Sequence, residues 1–348
     1  MFHNNFLQNG KTVYMCQLSD VSCAKVQQTM KNFTYFHEKQ GMIGNTMSLP
    51  EKVTLIEVGP RDGFQLEKKL IPTELKLRII NGLLDAGIRN IQVTSFVNPA
   101  VVPQMEDAEE LIKLLSENQD AAFSCLVLNE RGLHRAQKAG MKNVEISVSA
   151  SDTHSRKNTG MSYEAAFKSA QKMIEEAKSH KMHIRAGIQC AFGCAYEGSI
   201  PADRVIAIAG KFADSGADMI AVSDTTGMAD PLSVKTLIEK LQAVTHNLPV
   251  VLHLHDTRGL GLANVSAGLE SGITHFDTAL AGMGGCPFVP GAAGNISTED
   301  TAHMMESMNI KTGIDIEKVA ACSLELEAFL GKKFPGKIHH LYSCNKEI

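Results

Sequence analysis

Four segments of this chain repeat one local pattern, and that repetition constrains the fold more tightly than any other feature. They read Asp-Ala-Gly87-Ile-Arg-Asn-Ile-Gln-Val, Lys-Ala-Gly140-Met-Lys-Asn-Val-Glu-Ile, Asp-Ser-Gly216-Ala-Asp-Met-Ile-Ala-Val and Glu-Ser-Gly272-Ile-Thr-His-Phe-Asp-Thr. A glycine just past a helical run tolerates the left-handed backbone that ends a helix, and the β-rich run that follows is what a short αβ loop delivers. Repetition of such a unit specifies alternating strands and helices.

Extending the pattern places strands at residues 53–58, 91–95, 122–127, 144–149, 184–190, 219–223, 250–255 and 275–280. Eight strands over roughly 230 residues approach the ~250 of a closed (β/α)8 barrel. A doubly wound open sheet is the competing α/β architecture, but no Gly-x-Gly-x-x-Gly follows the first strand. Between strands, helices are expected at 73–86 and 162–180, with Thr73 and Ser162 as N-caps. Two further helical stretches, 298–308 and 315–330, exceed one barrel's needs. The expected fold is therefore a TIM barrel with a small C-terminal helical appendage packing over or beside its mouth. Residues 1–50 read as a weakly ordered extension, 51–313 as the barrel with its catalytic loop, and 314–348 as a C-terminal helix and tail.

The net charge of −4 supplies no basic field, which argues against a nucleic-acid partner. Apolar stretches are strand-sized and interrupted, short of the ~20 residues that span a bilayer. Eight cysteines, at positions 16, 23, 125, 190, 194, 286, 322 and 344, lack the dense pairing of a secreted scaffold. A reducing, cytoplasmic setting follows, and the C-x-x-x-C of Cys190 and Cys194, with no second pair, does not make a structural zinc site. The first 50 residues contain no Arg and no continuous apolar run, so they read neither as a secretory signal nor as a mitochondrial presequence.

In a barrel, the carboxyl ends of all strands converge on one mouth, where active sites collect. The seventh strand ends in His253-Leu-His255, and alternation along a strand projects both imidazoles to the same side. The first ends in Glu57-Val-Gly-Pro-Arg61-Asp62-Gly63, the sixth in Ser223-Asp224-Thr-Thr-Gly227. After the eighth comes a Gly- and Pro-rich loop carrying Cys286 and ending at Gly294-Asn295. Such a loop can close over substrate and deliver its thiol as acid or base. Alone, a His-x-His or an Arg-Asp pair is commonly a satisfied core or a solvated turn. Together, Asp62, His253, His255 and Asn295 form a mixed oxygen and nitrogen set suited to a divalent cation, Mg2+ or Mn2+ foremost, with Zn2+ and Fe2+ also compatible. No lysine falls at the end of a predicted strand, which argues against a Schiff-base aldolase.

These strings, with Thr94-Ser-Phe-Val97, Val102-Pro-Gln-Met105, Tyr196-Glu-Gly198, His253-Leu-His-Asp-Thr257, Gly284-Gly-Cys-Pro287 and Thr298-Glu-Asp300, resemble the 3-hydroxy-3-methylglutaryl-CoA lyase family over residues 53–313. The resemblance implies metal-dependent cleavage of an acyl-CoA to acetyl-CoA and a keto acid, with metal ligands Asp62, His253, His255 and Asn295. Arg61 would stabilise the acetyl-CoA enolate and Cys286 would protonate it. Gln65 and Asp224 would line the pocket, His255 or Asp62 would take the hydroxyl proton, and the enzyme would form a homodimer or larger oligomer.

Three departures stand out. Gln92, in Ile91-Gln-Val-Thr-Ser-Phe96, replaces the acid that would pair with Arg61, which predicts an active-site charge altered by one unit. The fifth strand, Arg185-Ala-Gly-Ile-Gln-Cys190, lacks an aromatic, and Thr257-Arg258-Gly-Leu follows the metal strand. Gln92 and Arg258 are thus candidate determinants of substrate, Arg258 and the segment 149–156 as partners for a carboxylate or a CoA phosphate. Alternative readings are a lyase for a related thioester such as citramalyl-CoA, a condensing synthase on a 2-oxo acid, and a barrel decayed to a binding role. The synthase is disfavoured because fewer than 40 residues follow Gly313, too few for a lid or regulatory domain.

Overall fold

In a computed structural model of the chain, the described residues are 49–118, 120–285 and 293–343. Eight strands, β1 (Thr54–Glu57), β2 (Asn90–Ser95), β3 (Ala122–Val127), β4 (Asn143–Ser149), β5 (His183–Gln189), β6 (Met219–Ser223), β7 (Val250–His253) and β8 (His275–Thr278), form one closed barrel in sequence order. All pairings are parallel, and the sheet closes with Thr54 opposite His275 and Glu57 opposite Thr278. Helices cover the outside, so strands such as β7 are buried along their whole length and need no polar face. The TIM barrel expected from the repeats is the fold observed.

Eleven helices are described: α1 (Thr73–Asp85), α2 (Ala108–Leu115), α3 (Glu130–Lys138), α4 (Asp152–Thr159), α5 (Tyr163–Ser179), α6 (Ala202–Asp214), α7 (Pro231–Gln242), α8 (Gly261–Glu270), α9 (Thr298–Ser307), α10 (Ile316–Leu330) and α11 (Ile338–Ser343). Ser162 caps α5 as expected, its hydroxyl accepting from the Ala165 amide at 3.3 Å. Thr73 does not cap α1. Pro72 occupies the cap, and the Thr73 hydroxyl instead donates to Asp107 Oδ2 at 2.8 Å, a partner 34 residues away that local sequence does not reveal.

Two strands end earlier than their apolar runs suggest. β7 stops at His253 because His255 leaves the ladder to bridge Asn295, and β8 stops at Thr278 because Ala279 pairs with Ser297. Both endings draw the segment from Asn295 onward against the mouth. The C-terminal helices lie along the β8 and β1 side. α10 packs so closely on α1 that a Cβ at Gly82 would stand 2.5 Å from Cys322 Sγ. Asp300 of α9 accepts from the amides of Lys337 and Ile338 at the start of α11.

Glu57 fastens this seam. Its Oε1 accepts from the amides of Gly59 at 2.8 Å and Leu280 at 2.9 Å, and its Oε2 from the Thr298 hydroxyl at 2.7 Å. Burial outweighs these bonds and pushes the Glu57 carboxyl up from 4.5 to about 8. A folded pKa above the unfolded one means that the fold holds a proton the unfolded chain releases. Stability from this group is therefore complete below pH 4.5 and declines as pH rises toward 8. Glu57→Gln, which mimics the protonated acid, should flatten the pH dependence of the melting temperature across that window by removing up to about 1.4 kcal/mol per pH unit. Melting curves that stay parallel for the two proteins would exclude a protonated Glu57.

Candidate active site

The chain turns sharply after β1 in a wide helical turn, Gly59–Gly63, which buries Arg61 and Asp62 at the mouth of the barrel. One ligand atom from each of Asp62, His253 and His255 lies within 4.8 Å of the others. His253 Nε2 and His255 Nε2 stand 3.1 Å apart, and Asn295 Nδ2 reaches Asp62 Oδ2 at 2.8 Å. All four residues expected as ligands therefore meet. Asn295 Oδ1 and His255 Nδ1 are buried without a hydrogen-bond partner. Two facing imidazole nitrogens, a carboxylate and an orphaned amide oxygen fit a divalent cation, which would give the Asn295 oxygen the partner it lacks.

Glycines make this convergence possible. A Cβ at Gly284, which has φ +114°, would stand 2.6 Å from Asn295 Nδ2, and one at Gly294 would stand 2.5 Å from the Gly284 carbonyl carbon. Only bare backbone passes there.

A buried polar network supports the ligands, and most of it was not legible in the sequence. His253 Nδ1 pairs with Asp277 Oδ2 at 2.9 Å, which fixes the ring and leaves Nε2 to face the site. Asp277 in turn receives both terminal nitrogens of Arg185, Nη1 at 2.8 Å to Oδ1 and Nη2 to Oδ2. Arg185 Nε lies 3.2 Å from Glu145 Oε2. On the far side, Arg61 Nη1 bonds Asp62 Oδ1 at 2.5 Å, and Arg61 Nε donates to Gln92 Oε1. Gln92 Nε2 then donates to the same Glu145 Oε2 at 2.7 Å. The only available signal for Glu145, Arg185 and Asp277 was a charged residue inside an otherwise apolar strand. Gln92 is neutral, as expected, and the carboxylate of Glu145 lies directly behind it.

These surroundings set the charge states. Burial alone would raise the Asp62 carboxyl, but Arg61, the two imidazoles and Asn295 hold it below the usual carboxylate range. Asp277 is likewise brought down to about 2, Arg185 and His253 overcoming burial. Burial, aided by His253, pushes His255 down to about 3, so its ring is neutral at pH 7.

A cavity of about 330 Å3 opens over the site, with Arg61, Asp62, Gln65, Glu145, His253 and His255 in its wall. Gln65 Nε2 bonds Asp62 Oδ1 at 3.1 Å. From the segment 149–156, His154 reaches the cavity, whereas Arg156 pairs with Asp152 on the surface. Asp224 is buried behind the wall, with Oδ1 accepting from the Met228 amide, Oδ2 unpartnered, and burial pushing its carboxyl up to about 6. Gln92 is fully buried, outside the described lining. Arg258 is also outside it, its Nη1 donating to the carbonyls of Thr226 and Gly227 and so tying two loops together. Cys286 lies outside the described residues.

A parallel eight-stranded barrel with this donor set at its carboxyl mouth defines a barrel enzyme with a site for a divalent cation. The family model described as HMGL-like matches residues 52–324, and the chain belongs to that family. It is 38% identical over 291 residues to hydroxymethylglutaryl-CoA lyase YngG of Bacillus subtilis, covering 84% of this chain and 97% of that one. It is 36% identical to the mitochondrial hydroxymethylglutaryl-CoA lyase of Rattus norvegicus, over 84% of this chain and 90% of the relative. Among solved structures, the B. subtilis HMG-CoA lyase superposes with a TM-score of 0.82, covering 85% of this chain and all of that one (100%). An Acinetobacter baumannii HMG-CoA lyase in complex with coenzyme A and 3-methylmalate, 36% identical, gives 0.79 over 84% and 95%.

Because Asp277 orients His253, Asp277→Asn should weaken Mn2+ binding by about 10- to 100-fold. Isothermal titration of the folded variant measures this, and wild-type affinity would rule out the supporting role.

Proposed function

We propose that this protein is a 3-hydroxy-3-methylglutaryl-CoA lyase, which cleaves its substrate into acetyl-CoA and acetoacetate. The observation that carries this reading is the meeting of Asp62, His253, His255 and Asn295 beside Arg61 in a barrel belonging to the HMGL-like family. The coenzyme A in the A. baumannii relative supports an acyl-CoA substrate. Among the described residues no helix is long and apolar enough to cross a membrane. With Cys125, Cys190, Cys194 and Cys322 free and buried, we read the protein as cytoplasmic.

Cleavage starts with loss of the proton from a tertiary alcohol, whose pKa lies far above that of any side chain at neutral pH. Asp62 and His255 are the bases placed at the centre, yet both are held well below neutrality, so neither is strong enough alone. A divalent ion bound by Asp62, His253, His255 and Asn295, Mg2+ or Mn2+ in our reading, would supply the missing acidity, since metal binding lowers the pKa of water from about 15.7 toward about 7. That is of order 10 kcal/mol, against about 3 to 4 kcal/mol for one positioned hydrogen-bond donor.

The proton passes to Asp62 or His255, and the oxygen's electrons form the ketone of acetoacetate. The broken carbon–carbon bond leaves its pair on the acetyl-CoA carbon. Arg61, held on two sides by Gln92 and Asp62, presents fixed positive charge to the resulting thioester enolate. We assign the returning proton to the Cys286 thiol. Gln65, bonded to Asp62, keeps that carboxylate oriented. A second substrate, citramalyl-CoA, belongs in the comparison because β5 carries Gly187 and no aromatic, with Ser147 and Glu145 filling the space beside it.

Purified protein with Mg2+ or Mn2+ should release acetyl-CoA from 3-hydroxy-3-methylglutaryl-CoA, and absence of cleavage across a panel including citramalyl-CoA would overturn the lyase reading. Arg61→Gln should lower kcat by about 100- to 1000-fold, the size expected for one positioned donor facing a developing negative charge. Cys286→Ser should bind Mn2+ normally and turn over more slowly. An unaltered rate in the serine variant would remove the thiol from the reaction.

A further inference from the structure

We propose that Glu145 and Gln92 act as one positioning unit: the Glu145 carboxylate on β4, working through the Gln92 amide, supplies the negative charge that fixes Arg61 in its reactive position. The proposal rests on the lyase reading and goes beyond it by assigning two residues that act through Arg61.

The geometry is directional. Gln92 Oε1 accepts from Arg61 Nε, and Gln92 Nε2 donates to Glu145 Oε2 at 2.7 Å. An amide is suited to this place because it accepts from a cation at one end and donates to an anion at the other. Turning the amide over would set its NH2 against the guanidinium and its oxygen against the carboxylate. Gln92 is fully buried, so water cannot take the place of its amide between Arg61 and Glu145.

Charge balance points the same way. The network buries two guanidinium groups, Arg61 and Arg185, and Asp277 is already engaged by Arg185 and His253. Asp62 touches Arg61 but also belongs to the cation-binding set. Glu145 is the remaining carboxylate in the network, 3.2 Å from Arg185 Nε and one amide away from Arg61. Without it, Arg61 and Arg185 would depend on Asp62 and Asp277 alone, each of which already serves a second partner, a costly arrangement for two buried cations.

The barrel wall is shaped to admit this carboxylate. Ser147 Oγ donates to Glu145 Oε1 at 2.7 Å, holding the second oxygen. On the neighbouring strand, a Cβ at Gly187 would stand 2.2 Å from Ser147 Oγ and 2.9 Å from Glu145 Oε1. Any side chain at 187 would displace the pair. Gln92, Glu145, Ser147 and Gly187 are therefore mutually dependent choices, with the carboxylate standing one amide away from Arg61.

The test is a charge relocation. Steady-state kinetics on 3-hydroxy-3-methylglutaryl-CoA with Mg2+ are compared for wild type, Glu145→Gln, Gln92→Glu and the double variant, with melting temperature and Mn2+ affinity measured alongside. Each single variant should lose kcat by about tenfold or more with KM little changed, because Arg61 meets its negative charge only as the transition state forms. The double variant, which puts the carboxylate directly on Arg61 and the amide beyond it, should recover kcat to within a few-fold of wild type. Gln92→Leu cuts the relay without altering charge, and should lose kcat as Glu145→Gln does even if the latter folds poorly. Wild-type kcat in Glu145→Gln or Gln92→Leu overturns the proposal. So does a double variant whose defect is the product of the two single defects, or a loss of Mn2+ binding that tracks the loss of kcat. Activity of the wild type in the same assay reports on the lyase reading, so the two ideas fail separately.

Discussion

Closure of the sheet by β1 against β8 is the constraint on which the site depends. Thr54 to Glu57 pair with His275 to Thr278 in parallel register, and this places the turn after β1 beside the segment that follows β8. Asp62 and Asn295, 233 residues apart, come within 2.8 Å only because the barrel closes. Glu57 reinforces the join by bonding backbone on both sides of the seam, and its burial favours the neutral acid there. A hard cation needs oxygen ligands held at short, fixed distances, and loops carried by a rigid closed sheet supply that geometry.

Around the mouth, charge alternates from strand to strand. Asp62, Arg61, Gln92, Glu145, Arg185, Asp277 and His253 follow one another through hydrogen bonds or ion pairs, with positive and negative groups interleaved. Each buried charge thus has an opposite neighbour, the condition under which ionised groups persist away from water. The same arrangement prepares the chemistry. One end of the series fixes the His253 ring and the other fixes Arg61, so in the proposed mechanism the groups that would face the cation and the enolate are oriented before substrate arrives.

Much of this was legible from local sequence. β3 (Ala122–Val127) and β6 (Met219–Ser223) fall where their β-rich runs place them, and the quartet proposed to hold the cation was identifiable because each member sits at the end of a strand or beside a glycine-rich turn. Less legible was anything decided by a partner distant in sequence. Thr73 looked like a cap, but Asp107 claimed its hydroxyl. Arg258 gave no sign that its Nη1 donates to two carbonyls of the preceding loop. Gln92 gave no hint of Glu145, 53 residues further on, to which its amide donates.

The sequence by itself determined the alternation of strands and helices and the chemical types available at each strand end. Periodicity and glycine stops are local properties, written in neighbouring residues. Tertiary structure alone decided which of those groups share a site, which carboxylate answers which arginine, and which nitrogen of His253 faces the cation-binding centre. Those outcomes depend on distances across a closed barrel and on burial that removes water from the competition, and neither quantity is recorded in the order of residues along the chain.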